Sequence, residues 1–467
     1  MEAQAGLEPW SEDAVPIHFV DAAEFERLAA ETTEPIRALA KAGGFEPKPG
    51  KLLLVPKASG DLARVLFGVE AADAPRRDLF LPGKLATLLP PGLYRFESGP
   101  FDPFAAALSF LLSRYKYARF VPVKSEAPRL CAPKGLDVER LHRLAAGVTL
   151  GRDLVNAPAN ELGPNALTGA ALDLARRFGA QARVIAGEAL LAENFPLIHA
   201  VGRGAEEPPH LVDFTHGPEN GLKVTLVGKG VVFDSGGLDI KPGSAMALMK
   251  KDMGGAATAL ALAFMLMDAK LPLRLRVLLP IVENAVSARS YRPGDVYRSR
   301  KGLSVEIGDT DAEGRLVLAD ALALACEDEP DLIFDFATLT GAARVALGPE
   351  IAPFYTDDDA LAQEIARIGE AARDPVWRMP LWDGYDSGLD GKIADLVNVT
   401  SGGFAGSITA ALFLRRFVAD ARRWAHFDIY CWNPSARPGR PEGGEIPVAR
   451  LLYDLIEARA REWRELK

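Results

Sequence analysis

Cysteine is scarce in this chain. Cys131, Cys326 and Cys431 are the only three in 467 residues, and they lie far apart. So sparse and odd a set builds no disulfide framework; buried reduced thiols and an intracellular, cytoplasmic setting are expected. Long apolar runs are missing too. No stretch reaches the roughly 18 uncharged apolar residues that suggest a membrane span, and the nearest, Ala256 to Met267, reads as a buried helix. The opening Met-Glu-Ala-Gln-Ala-Gly-Leu-Glu-Pro-Trp lacks a basic end followed by an apolar run, so no secretory signal is expected. Positive charge is in deficit: 54 Lys and Arg face 63 Asp and Glu, a net charge of −9. That argues against a general nucleic-acid or anionic-membrane binder, and Arg76, Arg77, Lys84 and Lys116 are scattered rather than clustered. Repeats and low-complexity segments are also absent.

What is present is an ordinary globular balance, 48% apolar and 25% charged, in a chain long enough for two or three domains. The alternation of strands and helices predicts an α/β fold. A small N-terminal α/β domain is placed at 1–135, as scaffold or assembly unit. A linking helix and loop follow at 136–163, with Asp137 as the helix N-cap. A larger α/β domain is placed at 164–467, with a mixed, mostly parallel sheet covered by helices on both faces. Within it, strands are predicted at Gln181–Ile185, His210–Phe214, Lys223–Val227, Arg274–Ile281, Asp331–Phe336 and Trp424–Tyr430. Helices are predicted at Leu167–Phe178, Met253–Met267, Gly314–Cys326, Ser407–Val418 and from about Val448 onward. Leu197–Gly202 reads only as a lead into a Gly-rich turn.

The chemistry concentrates between Lys229 and Arg315. Asp234 closes a strand-like run and is followed by Ser-Gly-Gly. Asp252 precedes Met-Gly-Gly and an apolar helix, where the simplest role for an Asp is an N-cap. Asp311 and Glu313 sit one residue apart beside Gly308 and Gly314. Each acid alone is unremarkable as a turn or solvated-loop residue. Together they would repel strongly in one cleft unless cations compensate, and an oxygen-rich set suits Mn²⁺, Mg²⁺ or Zn²⁺. No histidine lies near them, so a His-rich zinc site is not expected; His199, His210, His216 and His426 read as structural or surface residues. Lys229 could bind a metal only as the neutral amine, through a lowered pKa that burial beside cations would supply.

Five ordered motifs carry a resemblance: Val-Gly-Lys229-Gly-Val-Val-Phe-Asp234-Ser-Gly-Gly, Ile-Lys241-Pro, Asp252-Met-Gly-Gly-Ala-Ala-Thr, Arg292-Pro-Gly-Asp-Val, and Asp309-Thr-Asp-Ala-Glu-Gly-Arg315-Leu. The sequence resembles the cytosol (leucyl) aminopeptidases of the M17 type, over about residues 150–430 and faintly before 135. The resemblance implies a two-metal aminopeptidase that releases N-terminal, apolar, leucine-like residues from peptides by a metal-activated hydroxide. Lys229 and Asp252 would bind one metal only, Asp234 and Glu313 would bridge both, and Asp311 would bind the second. The ions would be Mn²⁺ or Zn²⁺, with Mg²⁺ or Co²⁺ as alternatives. Lys241 would stabilise the oxyanion, and Arg315 would hold a bicarbonate as general base. Met249, Thr338 and Gly341 fall where the family lines its pocket for the first side chain, and Asp309 is grouped with them. Asp309 departs from the family's usual Asn, and the Pro438-Gly-Arg-Pro-Glu-Gly-Gly stretch is also unlike its pattern. The family further implies a homohexamer. A two-metal hydrolase of another substrate class, such as phosphoesters, and a DNA-binding role are the competing readings.

Overall fold

A computed structural model describes residues 6–32, 35–122, 126–418 and 424–465; the first five residues of the opening stretch read above lie outside them. The chain forms two compact units, one of residues 1–149 with 434–442, the other of 150–433 with 443–467. The boundary falls inside the helix Val138–Asn156, whose first turn is capped by Asp137, the Oδ1 accepting from Arg140 N at 2.9 Å.

Both units are α/β, with mixed sheets in which parallel pairing prevails, flanked by helices. The first holds a five-stranded sheet in the order Leu52–Pro56, Leu62–Gly68, Val15–Val20, Leu93–Ser98, Arg129–Leu130. Only the first pair is antiparallel. Its core gathers on Phe19, whose ring stacks on Phe101 at 4.2 Å and meets Phe67 and Phe96 edge-on. Helices Ala22–Glu31 and Pro103–Ser113 begin at Asp21 and Asp102, each accepting from a backbone N–H of the first turn, the usual device for satisfying orphan donors there.

In the second unit the sheet has nine strands. Its centre runs Trp424–Asp428, Leu332–Ala337, Leu222–Gly228, Leu273–Asn284, all parallel. Gly230–Asp234 joins the last of these, also parallel. Antiparallel strands His210–His216 and Ala352–Tyr355 flank this centre. Strands buried on both faces read as continuous apolar runs; Leu332–Ala337 is buried at every position, and its one acid, Asp335, accepts from Trp424 Nε1 and His426 Nδ1, both at 2.6 Å. Helix Gly254–Asp268 is buried along nearly its whole length, as its all-round apolar sequence requires. No helix among the described residues is long and apolar enough to cross a membrane.

Two elements differ from the sequence expectation. Pro196–Gly202 is a helix, and its N-terminal N–H groups are held from far along the chain: Asp320 Oδ2 accepts from Leu197 N at 2.8 Å and Ile198 N at 3.3 Å, while Oδ1 takes Arg300 N at 2.8 Å. A cap more than a hundred residues away leaves no local signal. The strand Leu273–Asn284 also runs three residues beyond Ile281, which brings Asn284 to the sheet edge.

Asp320 yields a test. Burial pushes its carboxyl up to about 7, outweighing the three N–H donors. Folding therefore favours the protonated form. The stability it contributes is full below the ordinary carboxylate range near 4 and is lost as pH rises to about 7. Asp320→Asn removes this dependence and one acceptor. It should cost about 1–3 kcal/mol at pH 5 and clearly less at pH 8. Urea unfolding at both pH values checks this; an equal or larger cost at pH 8 would contradict it.

Candidate metal centre

The central parallel strands of the second unit deliver their carboxyl ends to one edge. Lys229 follows Leu222–Gly228, Asp234 closes Gly230–Asp234, Asn284 closes Leu273–Asn284, Thr338 follows Leu332–Ala337, and Asp428 closes Trp424–Asp428. This edge is where open α/β sheets place ligands. Two helix starts complete it. Glu313 is the first residue of Glu313–Cys326, where the helix dipole favours a carboxylate. Asp252 lies just ahead of Gly254–Asp268, yet it does not cap it: the cap position is Met253, with no side-chain bond. The simple N-cap alternative for Asp252 is therefore excluded. Its carboxylate turns instead to Lys229 and to Thr338, whose Oγ1 donates to Oδ1 at 2.7 Å.

Asp234, Asp252 and Glu313, all buried, have carboxylate oxygens within 4.8 Å of one another. Lys229 Nζ lies among them, 2.7 Å from Asp252 Oδ2 and 2.8 Å from Glu313 Oε1, and donates to Thr338 O at 3.0 Å. Asp234 is fixed through Oδ1, which accepts from Gly236 N and Asn284 Nδ2, each at 2.9 Å. Lys241 Nζ stands 2.9 Å from Asp234 Oδ2 and pairs with Asp311. Asp311 lies at this site but outside the tight group of three.

The electrostatics follow from burial and neighbours. Burial alone pushes the Lys229 ammonium down, but Asp252, Glu313 and Asp234 outweigh it and hold the amine charged. The downward shift expected for a ligating amine is thus reversed when only carboxylates surround it. Lys241 is likewise held protonated, burial being outweighed by Asp234 and Asp311. Burial and then repulsion from Asp234 push Asp311 up to about 7, and the same two causes raise Glu313 well above the carboxylate range. Four acids crowded this way resist full ionisation unless more positive charge arrives. Asp252 Oδ2 and Glu313 Oε1 are buried and meet the Lys229 ammonium at 2.7 and 2.8 Å. Converging buried carboxylate oxygens are the donor set that a divalent cation fits.

Glycine makes the approach possible at two points. A Cβ on Gly314 would fall 2.6 Å from Lys229 Cε, and one on Gly255 only 2.1 Å from Phe336 O and 2.7 Å from Lys229 N. Lys229 N donates to Phe336 O at 2.9 Å, and Ala256 N donates to Lys229 O at 2.8 Å, so Gly255 sits where strand edge and helix start lock the lysine backbone. Gly255→Ala should therefore cost about 3 kcal/mol or more, the upper range for overpacking. Urea unfolding measures it, and a loss under about 1 kcal/mol would show that the helix start can shift freely.

The site opens into a cavity of about 490 Å³, lined among others by Lys229, Lys241, Met249, Asp311, Thr338 and Gly341. Asp309 is not in that lining, which corrects its grouping with the pocket; its Oδ1 instead accepts from Asp311 N at 2.7 Å and shapes the turn. Arg315 is buried behind the cavity, pushed down to about 10 by burial. One N–H of its guanidinium donates to Asn398 O at 2.6 Å, and Nε has no acceptor. No histidine joins the group of Asp234, Asp252 and Glu313 among the described residues: His210 bonds Thr168, and His426 bonds Asp335. Sequence reasoning missed Asn284, which ties Asp234 to Thr310 O. It also missed Asn398, which holds the backbone of Gly308 and Asp309. The acid-bearing strand end of Leu273–Asn284 was the available signal for the first.

Comparison with known proteins agrees with this geometry. Residues 149–452 match the cytosol aminopeptidase family, catalytic domain, and residues 15–133 match the M17 aminopeptidase N-terminal domain. The chain is 42% identical over 365 residues to the probable cytosol aminopeptidase of Syntrophotalea carbinolica, covering 74% of this chain and 73% of that protein. A Chlamydia trachomatis relative is 47% identical over 291 residues, 61% of this chain and 58% of that one. Among solved structures, the cytosol aminopeptidase from Coxiella burnetii superposes with TM-score 0.93 at 42% identity, covering 97% and 99% of the two chains. The bottromycin maturation enzyme BotP in complex with Mn gives 0.85 at 33%, covering 96% and 100%. With three acids gathered for a divalent ion and both domains matched in order, this chain belongs to the M17 cytosol aminopeptidase family, the two-metal aminopeptidases.

Proposed function

We propose that the chain releases N-terminal, apolar, leucine-like residues from peptides with two divalent ions. Lys229, once it gives up its proton to bind as the neutral amine, and Asp252 would hold one ion, Asp311 the other, and Asp234 and Glu313 would serve both. The observation that carries this is the convergence of three buried carboxylates within 4.8 Å of one another, with Lys229 between them, at a cavity that Lys241 also lines. When bound, such a pair polarises a carbonyl and lowers the pKa of water from 15.7 towards about 7.

The chain's own residues supply the rest. Met249, Thr338 and Gly341 receive the first side chain. Lys241 is kept cationic by Asp234 and Asp311 and faces the cavity; it is placed to stabilise negative charge growing on the scissile carbonyl oxygen. Arg315 has an unused buried Nε–H, which suits a planar anion such as bicarbonate serving as general base. Manganese or zinc is favoured by the oxygen and amine donors, and BotP, at 33% identity, was solved with Mn. The reading includes a homohexamer in the cytoplasm, as the resemblance implies; large apolar side chains such as Trp377, Trp382, Ile393 and Phe404 are left exposed, which is compatible with an assembling surface.

The test is release of the first residue from Leu-anilide against its N-acetyl counterpart, with an Asp311→Ala control. Hydrolysis of the free-amine substrate alone, lost in the control, supports the reading. Equal cleavage of the blocked substrate would show that no amine is read, and the exopeptidase assignment would fall.

A further inference from the structure

Two cations at the cavity are left over once the metal centre is accounted for. Lys229 and Lys241 are spent on the acids. Lys251 is not. Its side chain is 6% exposed, it lines the same cavity, and its ammonium lies 4.8 Å from the centre of the Tyr430 ring. Among the described residues it has no ion-pair or hydrogen-bond partner. The neighbouring acids are committed elsewhere. Asp252 is held by Lys229 and Thr338. Asp428 accepts from the N–H groups of Leu339 and Thr340 and from the hydroxyls of Thr340 and Ser407.

Arg344, exposed and lining the same cavity, lays its guanidinium over the same ring at 5.2 Å and donates to Tyr430 Oη at 3.4 Å. It too has no carboxylate partner among the described residues. The remaining acid at this end is Glu350 in the cavity wall. A ring face offsets only part of the cost of burying an ammonium. A buried lysine with no hydrogen-bonded carboxylate, at a cavity proposed to receive peptides, has room for one from a ligand.

We propose that Lys251 and Arg344, set around Tyr430, recognise a carboxylate of the substrate. The inference rests on the aminopeptidase reading and adds to it a preference among peptides. The carboxylate has two sources. One is the acidic side chain of a first residue reaching past Met249 and Thr338. The other is the C-terminal carboxylate of a dipeptide, which ends one residue beyond the scissile bond. Lys251 and the acids of the metal centre line one cavity, so both sources lie on a substrate bound there.

The experiment compares kcat/KM for two matched pairs, Glu-anilide with Gln-anilide and Leu-Gly with Leu-Gly-amide, on the metal-loaded protein, Lys251→Met and Arg344→Ala. Each pair differs only in carboxylate against amide. Losing one charge-assisted hydrogen bond is worth about a tenfold to hundredfold change. In the responding pair the carboxylate-to-amide ratio should fall by at least about tenfold in Lys251→Met, and in the same direction in Arg344→Ala. The responding pair identifies the source. Ratios unchanged within about twofold for both pairs overturn the proposal. Leu-anilide separates the two failures. If the parent protein cleaves it while no ratio moves, the carboxylate site is wrong and the peptidase reading stands. If the parent cleaves none of these substrates, both fall. Should Lys251→Met not fold, the Arg344→Ala ratios decide alone, because that side chain lies at the surface.

Discussion

Glu313→Gln will lower kcat/KM for Leu-anilide by about 10³-fold and abolish most of the thermal stabilisation that Mn²⁺ gives, with the fold unchanged. The loss is at the upper end of what removing one electrostatic donor costs, because this carboxylate is proposed to serve both ions. Gln has the same size and leaves the start of helix Glu313–Cys326 packed as before, against Lys229 and Gly314. What it cannot supply is charge. Glu313 is buried, 2.8 Å from Lys229 and grouped with Asp234 and Asp252, where attraction for a divalent ion is screened far less than in water. Steady-state kinetics and melting curves with and without Mn²⁺ measure both effects. A variant within about tenfold of the parent, still stabilised by Mn²⁺, would remove Glu313 from the metal site.

Lys241→Met should separate chemistry from metal binding. Lys241 faces the cavity while its ammonium pairs with Asp234 and Asp311. If it stabilises charge on the substrate oxygen, its loss lowers kcat by roughly 10²–10³-fold even at saturating metal. Metal affinity should hold or rise, since a cation that competes for Asp234 and Asp311 is gone. If Lys241 serves only to balance the acids, excess metal restores kcat. The split between kcat at saturating Mn²⁺ and the Mn²⁺ concentration at half-activation decides between them.

Much of this cluster was legible in the sequence because the proposed ligands are tied to strand ends and helix starts, features that leave local patterns. Lys229, Asp234 and Thr338 each close an apolar run, and Glu313 opens a helix beside two glycines. The α/β architecture followed from the same alternation. Other features depend on long-range contacts. Asn284 touches Asp234 across 50 residues, and Asn398 reaches Gly308 across 90. The helix Pro196–Gly202 is capped by Asp320, so its start is invisible nearby. For Asp252 a helix cap stayed open as the bland alternative because Asp often is one, and its contacts with Lys229 and Thr338 show only in the fold. The charge on Lys229 in the metal-free site is another long-range matter: it depends on how many acids meet the amine, which spacing alone does not give. Lys251 is the same problem reversed, a lysine whose lack of a partner shows only when its neighbours are in place.

The most direct measurement is a titration of the chelator-stripped protein with Mn²⁺, recording bound ions per chain together with Leu-anilide hydrolysis. The account predicts no hydrolysis without metal, two ions bound per chain, and activity that rises as they fill. Full hydrolysis by the stripped protein, or saturated binding with no hydrolysis, would contradict it.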